Sequence, residues 1–149
     1  MTIDVVVQNA CSLSAVPSDL QFERWATAAL QERGDAELLI RLVEREESRQ
    51  LNARYRNRDK ATNVLSFPTD LPAEVDLPLL GDIVICAPLV AQEAVEQNKS
   101  PESHWAHLTI HGTLHLLGFD HQTEAEAAAM ESLEASLLHS FGFQNPYNC

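Results

Sequence analysis

The feature that most constrains this chain is a run of three histidines and a glycine, H-x-x-x-H-x-x-G-x-x-H, at residues 111–121. His111 and His115 are four positions apart, so on a helix both imidazoles leave the same face one turn apart. Gly118 stands where a helix needs a residue that tolerates left-handed dihedral angles to turn the chain. After that turn, His121 can fold back toward the same point. The run therefore predicts a helix that ends in a tight turn with three imidazoles converging there.

Three neutral imidazoles of this kind are the donor set of a catalytic zinc site. Two ring nitrogens on one helix face can converge at the roughly 2.0–2.1 Å of zinc–nitrogen bonds, and three protein ligands leave a position open for water. The sequence predicts one zinc ion per chain, bound by His111, His115 and His121 at the end of a central helix. His107 lies two turns from His115, about 12 Å along the helix axis, so these two residues cannot share the ion. We interpret His107, like His104, as a packing residue or an outer partner of the site.

The residue after the first histidine decides which hydrolase chemistry this scaffold supports. The histidines and the glycine have the offsets of the metzincin proteases, which place a glutamate after the first histidine as general base. Here that position is Gly112, so peptide hydrolysis by the usual route lacks its proton acceptor. Asp120, beside His121, can orient a ligand ring, accept a proton or cap the turn, and the motif leaves these roles open.

Charge is distributed unevenly along the 149 residues and limits the choice of substrate. The formal net charge of −12 argues against a broadly basic nucleic-acid-binding protein. Residues 61–149 carry twelve acids and a single base, whereas residues 1–60 carry nine of the ten bases. Four bases lie within seven positions, and these are Arg54, Arg56, Arg58 and Lys60. An anionic substrate is therefore expected at this cluster, away from the acidic C-terminal half.

Short apolar runs that alternate with capped helix starts predict one α/β domain, with a small mixed four-stranded sheet covered by about five helices. Strands are predicted at residues 3–7, 37–43, 63–67 and 81–85. Helices are predicted from Ser18 to a stop at Gly34, through the polar run after residue 43, over residues 88–97, from Ser100 to Leu117, and from Thr123 onward. Residues 69–80, rich in proline and acids, are typical of an exposed loop.

Cysteine usage and hydropathy indicate the compartment. Cys11, Cys86 and Cys149 are odd in number and lack paired spacing, so reduced thiols are expected, with Cys86 as a small core residue. No apolar run reaches the roughly 18–20 residues of a membrane span, and the N-terminus lacks the features of a secretory signal. The cytoplasm is therefore the expected location.

Three blocks of the sequence resemble the bacterial YbeY endoribonucleases. Residues 111–121 (HGTLHLLGFDH) resemble the family signature, residues 55–60 and 62–68 (YRNRDK and TNVLSFP) its second block, and residues 80–85 (LGDIVI) its third. The blocks follow the same order over residues 37–147. The histidine block is the most specific of the three.

The resemblance implies a zinc-dependent, single-strand-specific endoribonuclease over residues 1–149. Such an enzyme acts in maturation of the 3′ end of 16S ribosomal RNA and in ribosome quality control. The resemblance assigns the zinc to His111, His115 and His121 and a catalytic role to Arg56, which would stabilise charge in the transition state. Three further bases are expected to bind the RNA backbone, namely Arg54, Arg58 and Lys60. The implied partners are precursor ribosomal RNA, the small ribosomal subunit and assembly factors, with no membrane and no DNA.

Two other functions stay open on the residues alone. A metallopeptidase on the metzincin-type histidine scaffold would need a substitute carboxylate near the metal. A non-catalytic, zinc-containing ribosome assembly factor would need a fourth protein ligand. For RNA cleavage the motif also does not identify the base, which could be zinc-bound hydroxide, Asp120 or the RNA 2′-hydroxyl. Because the protein is acidic, we expect it to bind free RNA weakly and to depend on the ribosome or a protein partner for targeting.

Overall fold

The computed structural model describes residues 3–13, 15–30, 35–69, 79–120 and 122–147. Within these residues the chain forms one α/β domain with four strands and five helices. The strands are β1 (Ile3–Asn9), β2 (Ala36–Val43), β3 (Val64–Pro68) and β4 (Leu79–Cys86). The helices are α1 (Asp19–Leu30), α2 (Arg45–Arg56), α3 (Ala87–Glu96), α4 (Pro101–Leu116) and α5 (Glu124–Ser140). None of the helices in the described ranges is long and apolar enough to cross a membrane.

The sheet is mixed, as predicted, and its strand order is β1-β2-β4-β3. β2 pairs in parallel with β1 on one side and with β4 on the other. β3 pairs with β4 in the antiparallel direction and is an edge strand. The sequence did not predict this order, because it depends on which strands meet in space.

Helix starts agree with the capping residues predicted from the sequence. Before α1, the Ser18 hydroxyl accepts a hydrogen bond from the Gln21 N–H, and the Gln21 side chain accepts one from the Ser18 N–H. This reciprocal pair is a complete capping box. α4 and α5 begin in a related way, since the hydroxyls of Ser100 and Thr123 each accept a hydrogen bond from the backbone N–H three residues on. Local side-chain chemistry therefore places three of the five helix starts.

The predicted loop over residues 69–80 is wrong at its C-terminal end. Leu79 and Leu80 already belong to β4, and the Thr69 N–H donates to the Leu80 carbonyl. Leu80 is buried, so this apolar pair extends the strand instead of leaving it. Residues 70–78, the rest of that prediction, lie outside the described residues.

α4 is the central helix, as predicted. Ten of its 16 residues are buried, and it packs against the sheet, α1, α3 and α5. Phe22 of α1 meets Trp105 of α4 edge to face, with ring centroids 5.7 Å apart. On the other face of the sheet, a smaller core includes Val43, Val84 and Cys86. Cys86 is fully buried, which confirms its interpretation as a core residue, and burial raises the pKa of its thiol.

Candidate metal centre

The C-terminal end of α4 turns as the sequence predicts. Gly118 has a φ of +102°, its N–H donates to the His115 carbonyl at 3.0 Å, and the Phe119 N–H donates to the Leu114 carbonyl at 3.1 Å. These two bonds form a Schellman motif, which satisfies carbonyls at the end of the helix and reverses the chain. His121, the third predicted ligand, lies outside the described residues.

His111 and His115 bring two ring nitrogens together. The Nε2 atoms of the two imidazoles are 3.1 Å apart, and the ring centroids are 4.6 Å apart. Two nitrogens bound tetrahedrally to zinc at roughly 2.0–2.1 Å would be about 3.3 Å apart. The observed separation therefore fits two ligands of one ion.

A second group of potential metal ligands lies behind this pair. His107, His111 and Glu134 each offer a ligand atom, and these atoms lie within 4.8 Å of one another. Glu134 accepts hydrogen bonds from His111 Nδ1 and from the Tyr147 hydroxyl. His107 Nε2 lies 3.1 Å from the Tyr147 hydroxyl and 3.5 Å from a carboxylate oxygen of Glu134. His111 thus belongs to both arrangements, with a different ring nitrogen in each.

Sequence reasoning missed Glu134 and Tyr147. One signal was available, because Glu134 falls on the same side of α5 as Met130 and Leu138, which are buried, and an acid on an apolar face needs partners. No comparable signal points to Tyr147, whose contact with His107 spans 40 positions of the chain.

The electrostatics of this buried group favour an ionised carboxylate. Burial by itself would raise the pKa of Glu134, but hydrogen bonds from His107, His111 and Tyr147 outweigh it and lower the pKa to about 2. Burial and the neighbouring carboxylate both raise the pKa of the Tyr147 hydroxyl. Glu134 is therefore an acceptor and the Tyr147 hydroxyl keeps its proton.

Gly112 packs tightly against the sheet. A Cβ atom at this position would lie 2.9 Å from Ile83 Cγ2 and 3.2 Å from Ser66 Oγ. The Ser66 hydroxyl also donates to the Gly112 carbonyl at 3.0 Å. The position that holds the glutamate in metzincins therefore has no room here for a glutamate side chain.

The basic cluster is positioned by the end of α2 and the segment after it. Asn57 adopts a left-handed conformation with a φ of +62° and ends the helix. The buried Asn52 side chain donates to the Lys60 carbonyl at 2.9 Å, and the buried Ser48 hydroxyl bonds both backbone groups of Thr62. The segment between α2 and β3 is thus fixed to α2 by buried polar side chains.

Arg56 is held in place by β3. Its Nη2 donates to the Ser66 carbonyl at 2.8 Å, and its guanidinium carbon lies 5.6 Å from the centroid of the Phe67 ring. A guanidinium over an aromatic face is a stabilising cation–π arrangement. Arg56 is therefore oriented by two independent contacts.

A cleft of about 810 Å³ joins the basic cluster to the histidine pair. Its lining includes Arg56, Arg58, His111, His115 and Asp120, together with Val64, Leu65, Ser66 and Pro68 of β3. Asp120 is the single carboxylate among the described lining residues. The other two predicted substrate-binding bases do not line the cleft: Arg54 lies over the Tyr55 ring at 5.3 Å, and Lys60 is absent from the described lining.

A histidine cluster able to hold a metal, beside two arginines in one cleft of a small α/β domain, is typical of metal-dependent hydrolases with anionic substrates. Comparison with known proteins identifies the group within that class. The family model of Endoribonuclease YbeY matches residues 8–142. A protein of Nitrosococcus oceani named Endoribonuclease YbeY is 53% identical over 150 residues, covering 99% of this chain and 98% of that protein. The chain belongs to the endoribonuclease YbeY family, as the sequence blocks predicted.

A solved structure shares the fold. The solution structure of TM1509 from Thermotoga maritima aligns with a TM-score of 0.59, covering 99% of this chain and 100% of that protein. Sequence identity over the alignment is 22%. The two chains therefore share an architecture despite extensive sequence divergence.

Proposed function

We propose that residues 1–149 form one zinc-dependent endoribonuclease domain that cleaves single-stranded RNA in maturation of the 3′ end of 16S ribosomal RNA and in ribosome quality control. The observation that carries the proposal is the pair of ring nitrogens of His111 and His115, 3.1 Å apart in a cleft that Arg56 and Arg58 line. A metal-binding pair beside two cations suits a phosphodiester, because both can act on the same phosphate. The name of the Nitrosococcus oceani relative agrees with RNA as the substrate.

We assign one zinc ion to His111, His115 and His121. Imidazole nitrogens suit zinc, and three protein ligands leave a coordination position open for water or substrate. A zinc ion there would polarise a phosphoryl oxygen and lower the pKa of a bound water. The separation of the His111 and His115 nitrogens supports this assignment.

Arg56 is the residue proposed to stabilise charge on the phosphate during cleavage. Its bond to the Ser66 carbonyl uses one of five N–H donors of the guanidinium, and this bond and the Phe67 ring together orient the group. A planar guanidinium can donate two parallel hydrogen bonds to phosphate oxygens. Arg58 lines the same cleft and is proposed to bind the RNA backbone. Arg54 and Lys60 would contact only RNA that extends beyond the cleft.

Targeting is proposed to come from a partner. The chain has 22 acids and 10 bases, so its overall field repels RNA, and two arginines in a cleft supply few phosphate contacts. We propose that the small ribosomal subunit and assembly factors present precursor RNA to the cleft in the cytoplasm. Neither a membrane nor DNA has a role in this proposal.

One observation favours a peptidase as the second candidate. The residues that flank β3, Asn63 and Thr69, hydrogen-bond to β4, so the alternate residues Val64 and Ser66 direct their backbone groups away from it. An extended peptide could pair with such an edge by displacing Arg56 from the Ser66 carbonyl. The tight packing of Gly112 against the sheet removes the usual protease base, and RNA therefore remains the preferred substrate.

The test compares substrates and metal states. Purified chain, either zinc-loaded or stripped with a chelator, is incubated with a single-stranded RNA carrying the 3′ end of precursor 16S RNA. DNA of the same sequence, the RNA duplex and a peptide library are assayed in parallel. We expect the zinc-loaded chain to cleave the single-stranded RNA and none of the other substrates, and the stripped chain to cleave none of them.

Two variants identify the site and exclude a contaminating nuclease. His115→Ala should lose both zinc and cleavage, whereas Arg56→Ala should keep zinc and lose about 10²–10³-fold in cleavage rate. RNA cleavage that survives in His115→Ala after zinc is lost would contradict the mechanism. Zinc-dependent cleavage of peptides in place of RNA would establish the second candidate.

A further inference from the structure

The starting point is a carboxylate enclosed behind the histidine pair. Glu134 is fully buried, and its partners in the described residues are two imidazoles of α4 and the phenol of the C-terminal segment. A buried carboxylate is costly unless its oxygens accept hydrogen bonds. One oxygen faces His111 and the other faces Tyr147. Both oxygens of the carboxylate are therefore in use.

The protons of this group can be assigned from its chemistry. Each Glu134 oxygen faces one potential donor at hydrogen-bond distance, so we assign the proton of His111 to Nδ1 and take the Tyr147 hydroxyl as donor to Glu134. The Tyr147 oxygen then accepts from His107 Nε2, 3.1 Å away. The buried Nδ1 of His107 agrees with this assignment, because it has no hydrogen-bond partner in the part of the chain that the structure describes. One consistent chain of donors runs from His107 through Tyr147 to Glu134.

This assignment leaves the Nε2 of His111 with its lone pair. That nitrogen is the atom that meets His115 Nε2 at 3.1 Å. A neutral imidazole ligates a metal only through the nitrogen that has no proton. The hydrogen bond between His111 Nδ1 and Glu134 therefore makes Nε2 the ring nitrogen that can bind a metal in the cleft.

We propose that Glu134 and Tyr147 are positioning residues that hold His111 in the Nδ1–H tautomer and aim its Nε2 at the metal in the cleft. This inference rests on the zinc site of the proposed function. On this account the group of His107, His111 and Glu134 supports a ligand from behind and is not itself the ligand set. An ion bound behind the ring would take Nδ1 of His111 and break its bond to Glu134.

Tyr147 connects the C-terminal segment to the site. After α5, Gly142 turns the chain with a φ of +87°, and the Tyr147 N–H donates to the Asn145 side chain at 2.9 Å. The phenol ring then packs edge to face on His107, with centroids 5.4 Å apart. The family match ends at Gly142, so this contact comes from a segment beyond the match.

The first measurement is the tautomer of His111 in the metal-free wild-type chain, from long-range proton–nitrogen NMR spectra. The expected result is a proton on Nδ1. A proton on Nε2 would overturn the inference. This measurement requires no variant and no RNA, so it gives an answer even if the chain fails to cleave RNA or to bind zinc, either of which would count against the proposed function instead.

The second measurement is zinc affinity by competition with a chromophoric chelator. Glu134→Gln should still bind one ion with affinity about 10–100-fold weaker, the usual effect of losing such an outer partner. Tyr147→Phe, which keeps the ring and removes one donor, should lose less, and the exposed Glu124→Gln on the same helix should match the wild type. Unchanged affinity in both Glu134→Gln and Tyr147→Phe would contradict the inference. Zinc that is lost in Glu134→Gln but kept in His115→Ala would make the inner group the ligand set.

Discussion

Each half of α4 carries a pair of histidines, three positions apart in the N-terminal half and four apart in the C-terminal half, and uses the pair differently. In the N-terminal half, His104 bonds a glutamate of α3 at 2.8 Å, and His107 bonds Tyr147 at 3.1 Å. In the C-terminal half, His111 and His115 line the cleft with their Nε2 atoms together. Spacing of three or four residues places histidines on one helix face, but the elements packed around that face decide what the nitrogens meet.

The elements packed on each half of α4 explain why its two histidine pairs have different partners. Side chains of α3, α5 and the C-terminal segment supply acceptors and donors to the first half of the helix. Beyond His111 the helix runs along β3, and Gly112 allows a close approach to the sheet. The C-terminal half of α4 therefore faces the cleft, whereas neighbouring elements cover the same side of the N-terminal half. A histidine in this chain is a candidate ligand where its neighbours leave a nitrogen facing the cleft.

The largest expected effect separates the two halves directly. His111→Ala should weaken zinc affinity by about 10³-fold or more, because a lost ligand costs several kcal/mol of binding free energy. His107→Ala should change it by less than about 10-fold, since His107 bonds Tyr147 and Glu134 and packs edge to face on His111 but is not among the described residues that line the cleft. Chelator competition measures both values.

The contrary result is equally clear. Equal losses in His107→Ala and His111→Ala would mean that the histidines of both halves are ligands. The comparison between the halves would then fail, and the inner group with Glu134 would become the metal site. Far-UV circular dichroism of both variants establishes whether a loss reflects unfolding.

The second prediction tests why the C-terminal half lies so close to the sheet. Replacing glycine by alanine inside a helix normally stabilises it by about 1 kcal/mol. In Gly112→Ala the new methyl group would meet Ile83 and Ser66 at 2.9 and 3.2 Å, and overpacking of this kind costs about 1–3 kcal/mol. We expect a net loss of roughly 1 kcal/mol in the free energy of unfolding, measured by urea denaturation.

The sign of the change is what matters in this experiment. A stabilised Gly112→Ala variant would show that the helix can move away from β3 at no cost. The cleft could then accommodate a side chain at this position, and the argument against a protease-type base would weaken. Helix propensity acts in the stabilising direction here, so a loss in Gly112→Ala would come from packing against Ile83 and Ser66.

Features determined by nearby residues could be predicted from the sequence. The spacing of His111 and His115 and the glycine after them are local, and both the facing nitrogens and the turn at Gly118 appear as predicted. The capping box at Ser18 is local as well. A helix or turn of this kind depends on residues within about one turn of each other, which are visible in a short window of sequence.

The supporting contacts could not be predicted in the same way. Glu134 reaches His111 across 23 positions and Tyr147 reaches His107 across 40, and only the packing of α5 on α4 brings them together. The prolines and acids before Leu79 and Leu80 predict a loop there, whereas pairing with neighbouring strands makes both residues part of β4. Tertiary contacts outweigh local composition in each case.

The third prediction uses pH to test the enclosed half. Burial lowers the pKa of His104 below its ordinary value of 6.5, partly offset by the bond to Glu93. Below pH 6.5 the unfolded chain therefore binds a proton that the folded chain does not. The free energy of unfolding should fall as the pH drops from 6.5 toward the folded-state pKa, with a slope of at most about 1.4 kcal/mol per pH unit from this residue.

His104→Gln isolates that contribution. Glutamine can still donate to Glu93 but does not titrate, so the difference between wild type and variant should depend on pH only below about 6.5. Titratable groups that do not interact with His104 contribute to both chains and cancel in the difference. A difference that is constant between pH 5 and 8 would show that His104 has its ordinary pKa and that this half of the helix is less enclosed than the contacts indicate.

The smallest expected effect concerns two arginines of the basic cluster, one that lines the cleft and one that does not. Arg58 lines the cleft beside the C-terminal half of α4, whereas Arg54 stacks over Tyr55 outside the described lining. A phosphate contact to single-stranded RNA contributes about −0.7 to the slope of log affinity against log salt. Arg58→Ala should therefore weaken RNA binding a few-fold and flatten the slope by about that amount, and Arg54→Ala should change neither. Metal-free chain keeps the RNA intact while fluorescence anisotropy measures binding at several salt concentrations.

This pair of variants also tests whether RNA contacts only the cleft or also the outer surface of α2. Both remove one positive charge, so a long-range electrostatic effect would weaken binding equally in the two variants. Only direct contact in the cleft distinguishes them. If Arg54→Ala flattens the salt dependence as much as Arg58→Ala does, RNA follows the outer surface of α2, and the path of the substrate extends beyond the face shared by β3 and the C-terminal half of α4.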